Sequence, residues 1–219
     1  MMFTDRLLAD QRVKDYYQAY LDHPFIKGLL DGSLDREKYK NYLIQDTHYL
    51  KDYSKVFANV YLLLDNVRDL QFLHTCIGVV MSEETNMHIQ YLKDYDLDVF
   101  KVESLEEKQA TRDYLDFMLQ YAPEKNAAKL FCAALPCTLT YEFIGKALKK
   151  KRLEVGGDNY YDAWIDAYAG QAFEDFAVRS IELMNDLVEG YQESDLVELI
   201  DIFVESCEHE MNFWHMSYE

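Results

Sequence analysis

A cysteine inside an apolar stretch is the first candidate for chemistry in this sequence. Residues 133–143 read AALPCTLTYEF, so Cys137 follows a proline and precedes Tyr141 by four residues. A proline inside a helix removes a backbone hydrogen bond and costs about 3 kcal/mol, so we expect Pro136 to kink or interrupt the helix here. A thiol that loses its proton is a nucleophile, whereas a buried cysteine is often only a small apolar side chain. Both interpretations of Cys137 remain open at this point.

Three acidic side chains fall on the apolar faces of predicted helices. With residues placed at about 100° intervals, Glu210 lies within the apolar arc of the last helix, and Asp46 lies at the centre of an earlier apolar stripe. Glu84 shares the apolar face of a third helix with His88. A buried carboxylate is costly unless it is paired, protonated or lines a cavity. These acids are therefore candidates for a functional site.

Each inward acid also has a structural interpretation. Glu84 and His88 lie four residues apart and could form a buried hydrogen-bonded pair. Asp46 could accept hydrogen bonds from tyrosines, whereas Glu210 has no obvious local partner. The chain contains 18 tyrosines, whose hydroxyls and flat rings suit a small, polar, aromatic ligand. Together these residues favour a tyrosine-lined cavity that contains a thiol and acids.

Helices must position these residues, because helical periodicity covers nearly the whole chain. Only eight glycines and three prolines occur in 219 residues, which disfavours a turn-rich β architecture. We expect one compact all-α domain over residues 1–219, with six main helices and some shorter ones. A capping box of Ser104 with Glu107, and Ser194 as an N-cap, predict the starts of two helices. The predicted spans are 3–22, 35–64, 67–93, 105–122, 127–151, 159–189 with a break near Gly170, and 195–216.

The charge of the chain argues against two classes of partner. With 40 acidic and 22 basic residues the formal net charge is −18, which repels nucleic acids and anionic membranes. The basic cluster from Lys149 to Arg152 precedes two glycines, where cations offset the negative end of a helix dipole. No basic-then-apolar leader and no long apolar span is evident, so we expect a soluble, cytoplasmic protein.

The four cysteines are best interpreted as free thiols. They show no C-x-x-C pair and lie far apart in the sequence, so neither a zinc site nor a disulfide framework is indicated. They are Cys76, Cys132, Cys137 and Cys207.

The sequence resembles a known family nearly from end to end. The family is that of the TenA (thiaminase II) proteins, aminopyrimidine aminohydrolases of thiamin salvage. Each segment alone is a weak signal, but the combination is specific. The matching segments are HPFIKGLLDGSL (23–34), YLIQDTHYLKDY (42–53), EETNMH (83–88), LPCTLTYEFIGKAL (135–148), WIDAYAG (164–170) and ESCEHEMNFWHMSY (205–218).

The resemblance implies a role for each candidate residue. The family's catalytic cysteine and glutamate match Cys137 and Glu210, and its pyrimidine-contacting aspartate matches Asp46. Glu84 and His88 match a family E-x-x-x-H and are assigned a supporting part. The aromatic residues of the implied substrate pocket are Tyr49, Tyr114, Tyr141, Tyr168 and Phe213.

The same resemblance implies a fold and a reaction. The fold is a heme-oxygenase-like helical bundle, commonly a homotetramer, that works without a metal or an organic cofactor. In the implied reaction the thiolate adds to the pyrimidine ring while an acid protonates a ring nitrogen, and the group on the 5-methylene leaves and is replaced by water. The substrate is 4-amino-5-aminomethyl-2-methylpyrimidine or thiamin, and the sequence leaves the preference between them open.

Two other classes of protein compete with this interpretation. Di-iron carboxylate oxygenases place Glu, Asp and His side chains inside a similar bundle, but they typically use Glu-x-x-His pairs, and no histidine here has a Glu three residues before it. Heme would need an axial histidine such as His23, which lies in a segment that resembles a turn. A non-catalytic protein that binds a thiamin-like molecule is the second rival, although the presence of both Cys137 and Glu210 argues against it.

Overall fold

The fold is entirely helical in the part of the chain that is described. A computed structural model describes residues 1–219, except for the side chains of residues 79, 81–87 and 99. Glu84 therefore lies outside the described residues. The all-α prediction is confirmed. The helices are α1 (Phe3–Ala9), α2 (Gln11–Asp22), α3 (Pro24–Asp31), α4 (Arg36–Tyr61), α5 (Val67–Lys93), α6 (Val99–Val102), α7 (Gln109–Leu119), α8 (Ala127–Val155), α9 (Asp162–Ala169), α10 (Gln171–Leu187) and α11 (Glu193–Tyr218), with a 3₁₀ turn at Ala122–Glu124.

Helix α8 lies at the centre of the bundle. It packs against α2, α3, α4, α7, α9, α10 and α11. By length and composition this helix is apolar enough to span a membrane, which differs from the expectation that no such stretch exists. However, 72% of its apolar window is buried inside the protein, as in the core helix of a helical bundle. Its apolar character therefore reflects its central position.

Helix α8 continues through Pro136 without interruption, so the predicted break is absent. Proline lacks an N–H group, and its ring crowds the carbonyls of the preceding turn. Two hydroxyls from other helices donate to that turn: Ser206 Oγ to the carbonyl of Ala133 at 2.7 Å, and Tyr53 Oη to that of Ala134 at 2.9 Å. Tertiary hydrogen bonds therefore satisfy carbonyls beside the proline.

Two predicted helix starts are wrong. Helix α7 begins at Gln109, because Ser104 Oγ instead donates to the carbonyl of Lys101, and the N–H of Lys108 donates to Gln45 on α4. Helix α11 begins one residue before Ser194, and the N–H of Gln192 donates to the carboxylate of Asp195. In the first case a residue distant in sequence supplies the cap.

The N-terminal helical span is also divided differently from the prediction. Asp10 ends α1 and caps α2, because its carboxylate accepts from the N–H of Arg12. The segment expected to be a turn begins α3, where Nδ1 of His23 accepts from the N–H of Phe25 at 3.2 Å. At the end of α8, Arg152 donates to the carbonyls of Gly156 and Gly157, in agreement with the predicted role of the basic cluster.

Candidate active site

Six helices supply the residues that the sequence singles out. Each residue lies on a helix face that points into the bundle. Because the residues are far apart in the sequence, only the tertiary fold can bring them together. Asp46 and Tyr49 come from α4, His88 from α5, Tyr114 from α7, Cys137 and Tyr141 from α8, Tyr168 from α9, and Glu210 and Phe213 from α11.

One cavity is lined by four of these residues. The empty space at this site is about 370 Å³ when the open solvent at its mouth is included. Cys137 is only partly buried there, whereas Cys76, Cys132 and Cys207 are fully buried and have pKa values raised by burial. Cys137 is thus the one of the four thiols that lines this cavity. The lining residues are Asp46, Leu50, Tyr53, Val80, Cys137, Thr138, Tyr141, Tyr168, Phe173 and Phe176.

Glu210 is a buried acid that contacts the thiol. Its side chain is 2% exposed, its Oε1 lies 2.9 Å from Oη of Tyr114, and the Cys137 thiol is close enough to influence its pKa. Burial raises the pKa of Glu210 to about 8, although the hydrogen bonds with Tyr114 and Cys137 act in the opposite direction. At neutral pH most of the Glu210 side chains are therefore protonated, so this residue can act as a general acid.

A buried serine extends the hydrogen bonds of Glu210. Ser206 Oγ lies 3.1 Å from Oη of Tyr114 and donates to the carbonyl of Ala133 at 2.7 Å. Ser206 is not among the predicted site residues, because a serine on an apolar face carries no strong signal. Its position one helical turn before Glu210, on the same face of α11, could have identified it.

Asp46 lies beside a neutral histidine. Oδ2 of Asp46 is 3.1 Å from Nε2 of His88, but the ring N–H is not aligned for a hydrogen bond. Both residues are buried, with 4% and 1% of their surfaces exposed. Burial lowers the pKa of His88 to about 4, so its imidazole is neutral at pH 7. The contact made by His88 with Asp46 joins α4 to α5, whereas the predicted pair with Glu84 lies outside the described residues.

The predicted aromatic residues form two connected groups. In the first, the ring centroid of Tyr49 lies 5.3 Å from that of Tyr114 and 5.8 Å from that of Phe213. In the second, the ring of Tyr141 lies 4.8 Å from that of Tyr168. Burial raises the pKa of Tyr49, Tyr114 and Tyr141 well above 10, so their hydroxyls remain neutral hydrogen-bond donors.

Several cavity residues were not predicted from the sequence. Leu50 and Tyr53 lie one and two helical turns after Asp46, so the periodicity of α4 could have identified them. Phe173 and Phe176 occupy one face of α10 and add an apolar wall. These residues make the cavity more apolar than the predicted residues alone indicate.

The described residues show no arrangement suited to a metal. Among them, no group of three or more His, Cys, Asp or Glu side chains could hold a metal ion. Glu84 lies outside the described residues. The di-iron interpretation therefore gains no support from the described part of the chain.

Two bacterial relatives match the chain over nearly its whole length. An aminopyrimidine aminohydrolase of Halalkalibacterium halodurans is 28% identical over 95% of this chain and 92% of the relative. An aminopyrimidine aminohydrolase of Staphylococcus saprophyticus is 30% identical over 100% of this chain and 94% of the relative. These relatives confirm the prediction of a hydrolase.

Solved structures confirm the fold. A TenA homologue from P. horikoshii is 25% identical, with a TM-score of 0.88, and the match covers 100% of this chain and 99% of that chain. A domain of unknown function from Shewanella denitrificans with a heme oxygenase-like fold matches with a TM-score of 0.67 and 18% identity, over 95% of this chain and 89% of that chain. The heme-oxygenase-like bundle is therefore confirmed.

The model of the TENA/THI-4/PQQC family matches residues 10–219. This range includes every candidate site residue from Asp46 to Phe213. The chain therefore belongs to the TENA/THI-4/PQQC family.

Proposed function

We propose that this chain hydrolyses 4-amino-5-aminomethyl-2-methylpyrimidine, and also thiamin, to 4-amino-5-hydroxymethyl-2-methylpyrimidine, and so acts in thiamin salvage. The observation that carries this proposal is that the Cys137 thiol, which lines the cavity, lies close enough to the buried acid Glu210 to influence its pKa. A nucleophile and a proton donor are the two groups that the reaction requires. The relatives named aminopyrimidine aminohydrolase support the same reaction.

The proposed reaction begins when the thiolate sulfur of Cys137 forms a bond to a carbon of the pyrimidine ring. Glu210 gives its proton to a ring nitrogen, and the ring electrons then expel the group on the 5-methylene, which leaves as ammonia from the ammonium form of the substrate, or as the thiazole. Water adds to the methylene and loses one proton to the solvent, the sulfur departs with the electrons of its bond as a thiolate, and the ring nitrogen returns its proton to Glu210. The acid and the thiolate are thereby restored for another cycle.

The surroundings of the cavity suit this chemistry. Asp46 would accept a hydrogen bond from the exocyclic amine of the pyrimidine, and Tyr141 and Tyr168 would hold the flat ring. Tyr49, Tyr114 and Phe213 would enclose the other aromatic surface, and His88 would support Asp46 through their contact. The apolar wall excludes water, which strengthens the electrostatic effect of Glu210.

We further propose that the protein is a cytoplasmic homotetramer of one domain over residues 1–219 that works without a metal or an organic cofactor. Exposed apolar side chains at the end of α4 and the start of α5 support self-association, since Leu62 is 80% exposed and Val67 is 68% exposed. Analytical ultracentrifugation of the purified protein tests this state, and a monomeric mass would contradict it.

Ammonia release from 4-amino-5-aminomethyl-2-methylpyrimidine tests the proposed reaction. We expect release by the wild type and a loss of at least about 10³-fold in the Cys137→Ser variant, because the nucleophile is removed. The matched control is Cys76→Ser, which changes a buried thiol of α5 that does not line the cavity.

The outcome also separates the rival function. If the folded wild type binds the pyrimidine but releases no ammonia or thiazole from either substrate, the hydrolytic proposal is wrong and a binding protein is favoured. Equal turnover by wild type and Cys137→Ser would leave a hydrolase but exclude this thiol as its nucleophile.

A further inference from the structure

The hydroxyl of Ser206 lies behind the acid of the proposed site. Ser206 is 0% exposed and donates to the carbonyl of Ala133 at 2.7 Å. Its Oγ lies 3.1 Å from Oη of Tyr114, which in turn lies 2.9 Å from Oε1 of Glu210. Four polar groups on α7, α8 and α11 therefore form one series of three contacts that ends at the acid.

The number of hydrogens in this series depends on the protonation of Glu210. The carbonyl of Ala133 can only accept, so it uses the single hydrogen of the Ser206 hydroxyl. Ser206 Oγ can then only accept from Tyr114, and Tyr114 can only accept from Glu210. A Glu210 side chain protonated at Oε1 therefore gives every contact one hydrogen.

The ionised acid leaves the series one hydrogen short. Tyr114 then donates to the carboxylate, and no hydrogen remains between Oη of Tyr114 and Oγ of Ser206. Two buried oxygens face each other at 3.1 Å without a hydrogen bond, which is unfavourable in the protein interior. The bond from Tyr114 by itself lowers the pKa of Glu210, but Ser206 competes with the carboxylate for the same hydrogen and so shifts the balance toward the neutral acid.

We propose that Ser206 is a positioning residue that stabilises the protonated form of Glu210 by accepting a hydrogen bond from Tyr114. The consequence for turnover rests on the proposed function, in which neutral Glu210 is the proton donor. Ser206 thereby keeps the acid ready to give a proton at neutral pH, although it contacts neither the cavity nor the thiol in the described contacts.

The tyrosines that face Glu210 add no charge near neutral pH. The series of contacts through Tyr114 and Ser206 can therefore influence the charge of Glu210. Within the described residues, tyrosines and thiols of α2, α4, α7, α8 and α11 face Glu210, and the carboxyl groups of Asp46 and Glu142 lie near two of these tyrosines, Tyr141 and Tyr17. Burial raises the pKa of each of these tyrosines above 10, so none of them adds a charge near neutral pH. The facing tyrosines and thiols are Tyr17, Tyr20, Tyr49, Tyr114, Tyr141, Cys137 and Cys207.

A direct titration of Glu210 tests the proposal without any substrate. The side-chain carboxyl carbon of Glu210, labelled with ¹³C and assigned by its loss in Glu210→Gln, is followed by NMR as the pH changes. In Ser206→Ala we expect the pKa of Glu210 to fall by about half to one unit, the equivalent of one hydrogen bond.

A matched serine elsewhere in the bundle provides the control. Ser180 is 1% exposed and its hydroxyl donates to the carbonyl of Phe176 at 2.9 Å, but it is not part of the series that ends at Glu210. Ser180→Ala should leave the pKa of Glu210 unchanged. An equal shift in this variant would show that loss of any buried hydroxyl is sufficient and would overturn the proposal.

A double substitution tests the path through Tyr114. In a Tyr114→Phe background the series is already broken, so adding Ser206→Ala should cause no further change in the pKa of Glu210. A full additional shift would show that Ser206 acts by another route. A pKa of Glu210 that is unchanged or raised in the single Ser206→Ala variant would also contradict the proposal.

The pH dependence of turnover separates this inference from the proposed function. If the protein hydrolyses the pyrimidine, the basic limb of kcat/KM should move to lower pH in Ser206→Ala by the same amount as the NMR titration. If the wild type shows no turnover, the proposed function fails, whereas the NMR titration still decides whether Ser206 sets the protonation of Glu210.

Discussion

Two buried carboxylates in this bundle have opposite surroundings. Asp69, near the start of α5, is 4% exposed, and Glu210 is 2% exposed. Burial alone would raise the pKa of Asp69, but a hydrogen bond from Asn66 and the charges of Arg68 and Arg179 lower it below its usual value. Glu210 contacts a tyrosine and a thiol, and burial raises its pKa to about 8.

The comparison shows that burial alone does not decide what an acidic side chain does. A carboxylate beside two guanidinium groups stays ionised and joins α5 to α10, which is a structural task. A carboxyl group that lacks such a partner holds its proton at neutral pH and can donate it. A neutral substitution should therefore have opposite effects at the two positions. At Glu210 we expect a loss of activity, and at Asp69 a loss of stability.

The largest expected effect is the loss of activity in Glu210→Gln. Glutamine keeps the size of the side chain but cannot donate a proton to a ring nitrogen, so kcat for the pyrimidine should fall by about 10²- to 10⁴-fold. Steady-state kinetics of ammonia release measure this change. A kcat equal to that of the wild type would show that Glu210 is not the acid.

Asp69→Asn should instead reduce stability. Removing the negative charge leaves Arg179, which is 19% exposed, facing a neutral amide, so the free energy of unfolding should fall by roughly 3 kcal/mol. Urea denaturation measures the loss, and kcat at 25 °C should be unchanged.

The contribution of Asp69 also has a predicted pH dependence. Because its folded pKa lies below the unfolded value near 3.8, the stabilisation is present above that value and is lost as the pH falls through the folded pKa. Wild type and Asp69→Asn should therefore converge in acid. A constant difference between them at every pH would argue that packing, not charge, is lost.

Glu210 should give the opposite pH dependence of stability. Its folded pKa of about 8 lies above the unfolded value of 4.5, so the folded state binds the proton more tightly and loses stability as the pH rises from 4.5 to 8. At pH 8, Glu210→Gln should be more stable than the wild type by roughly 1 to 3 kcal/mol, and the two should agree near pH 4. Thermal unfolding at several pH values checks the sign.

The smallest expected effect on stability concerns Asp186, whose carboxylate pairs with Arg68, a residue that also pairs with Asp69. Asp186 is 48% exposed, and pairs of exposed charges contribute little because water screens them. Asp186→Asn should therefore change the free energy of unfolding by at most about 0.5 kcal/mol. A loss as large as that of Asp69→Asn would show that burial is not what separates these acids.

Much of the site could be predicted because helical periodicity reports burial. Glu210, Asp46 and His88 each interrupt an apolar face, and all three are buried in the structure. The contact between Asp46 and His88 could not be predicted in this way, because periodicity describes one helix and the partner lies on another. The sequence instead suggested a pair within one helix, between Glu84 and His88.

Helix boundaries show the same limit. The Ser104 capping box satisfies a local pattern, but Gln45 of α4 supplies the partner of the N–H of Lys108 just before α7 begins. Ser206 escaped prediction for a related reason, since its role depends on Tyr114 and Ala133, which come from two other helices. Contacts between distant residues decide details that local patterns leave open.

The contact between Tyr114 and Glu210 joins residues separated by 96 positions in the chain, and it has a consequence for the order of folding. Helices such as α8 can form early from local contacts, whereas the acid joins the thiol only when α11 docks. During synthesis Cys137 therefore exists before Glu210 does, so in the proposed mechanism the growing chain is inactive until α11 is in place. In refolding, helical content should accordingly recover before activity.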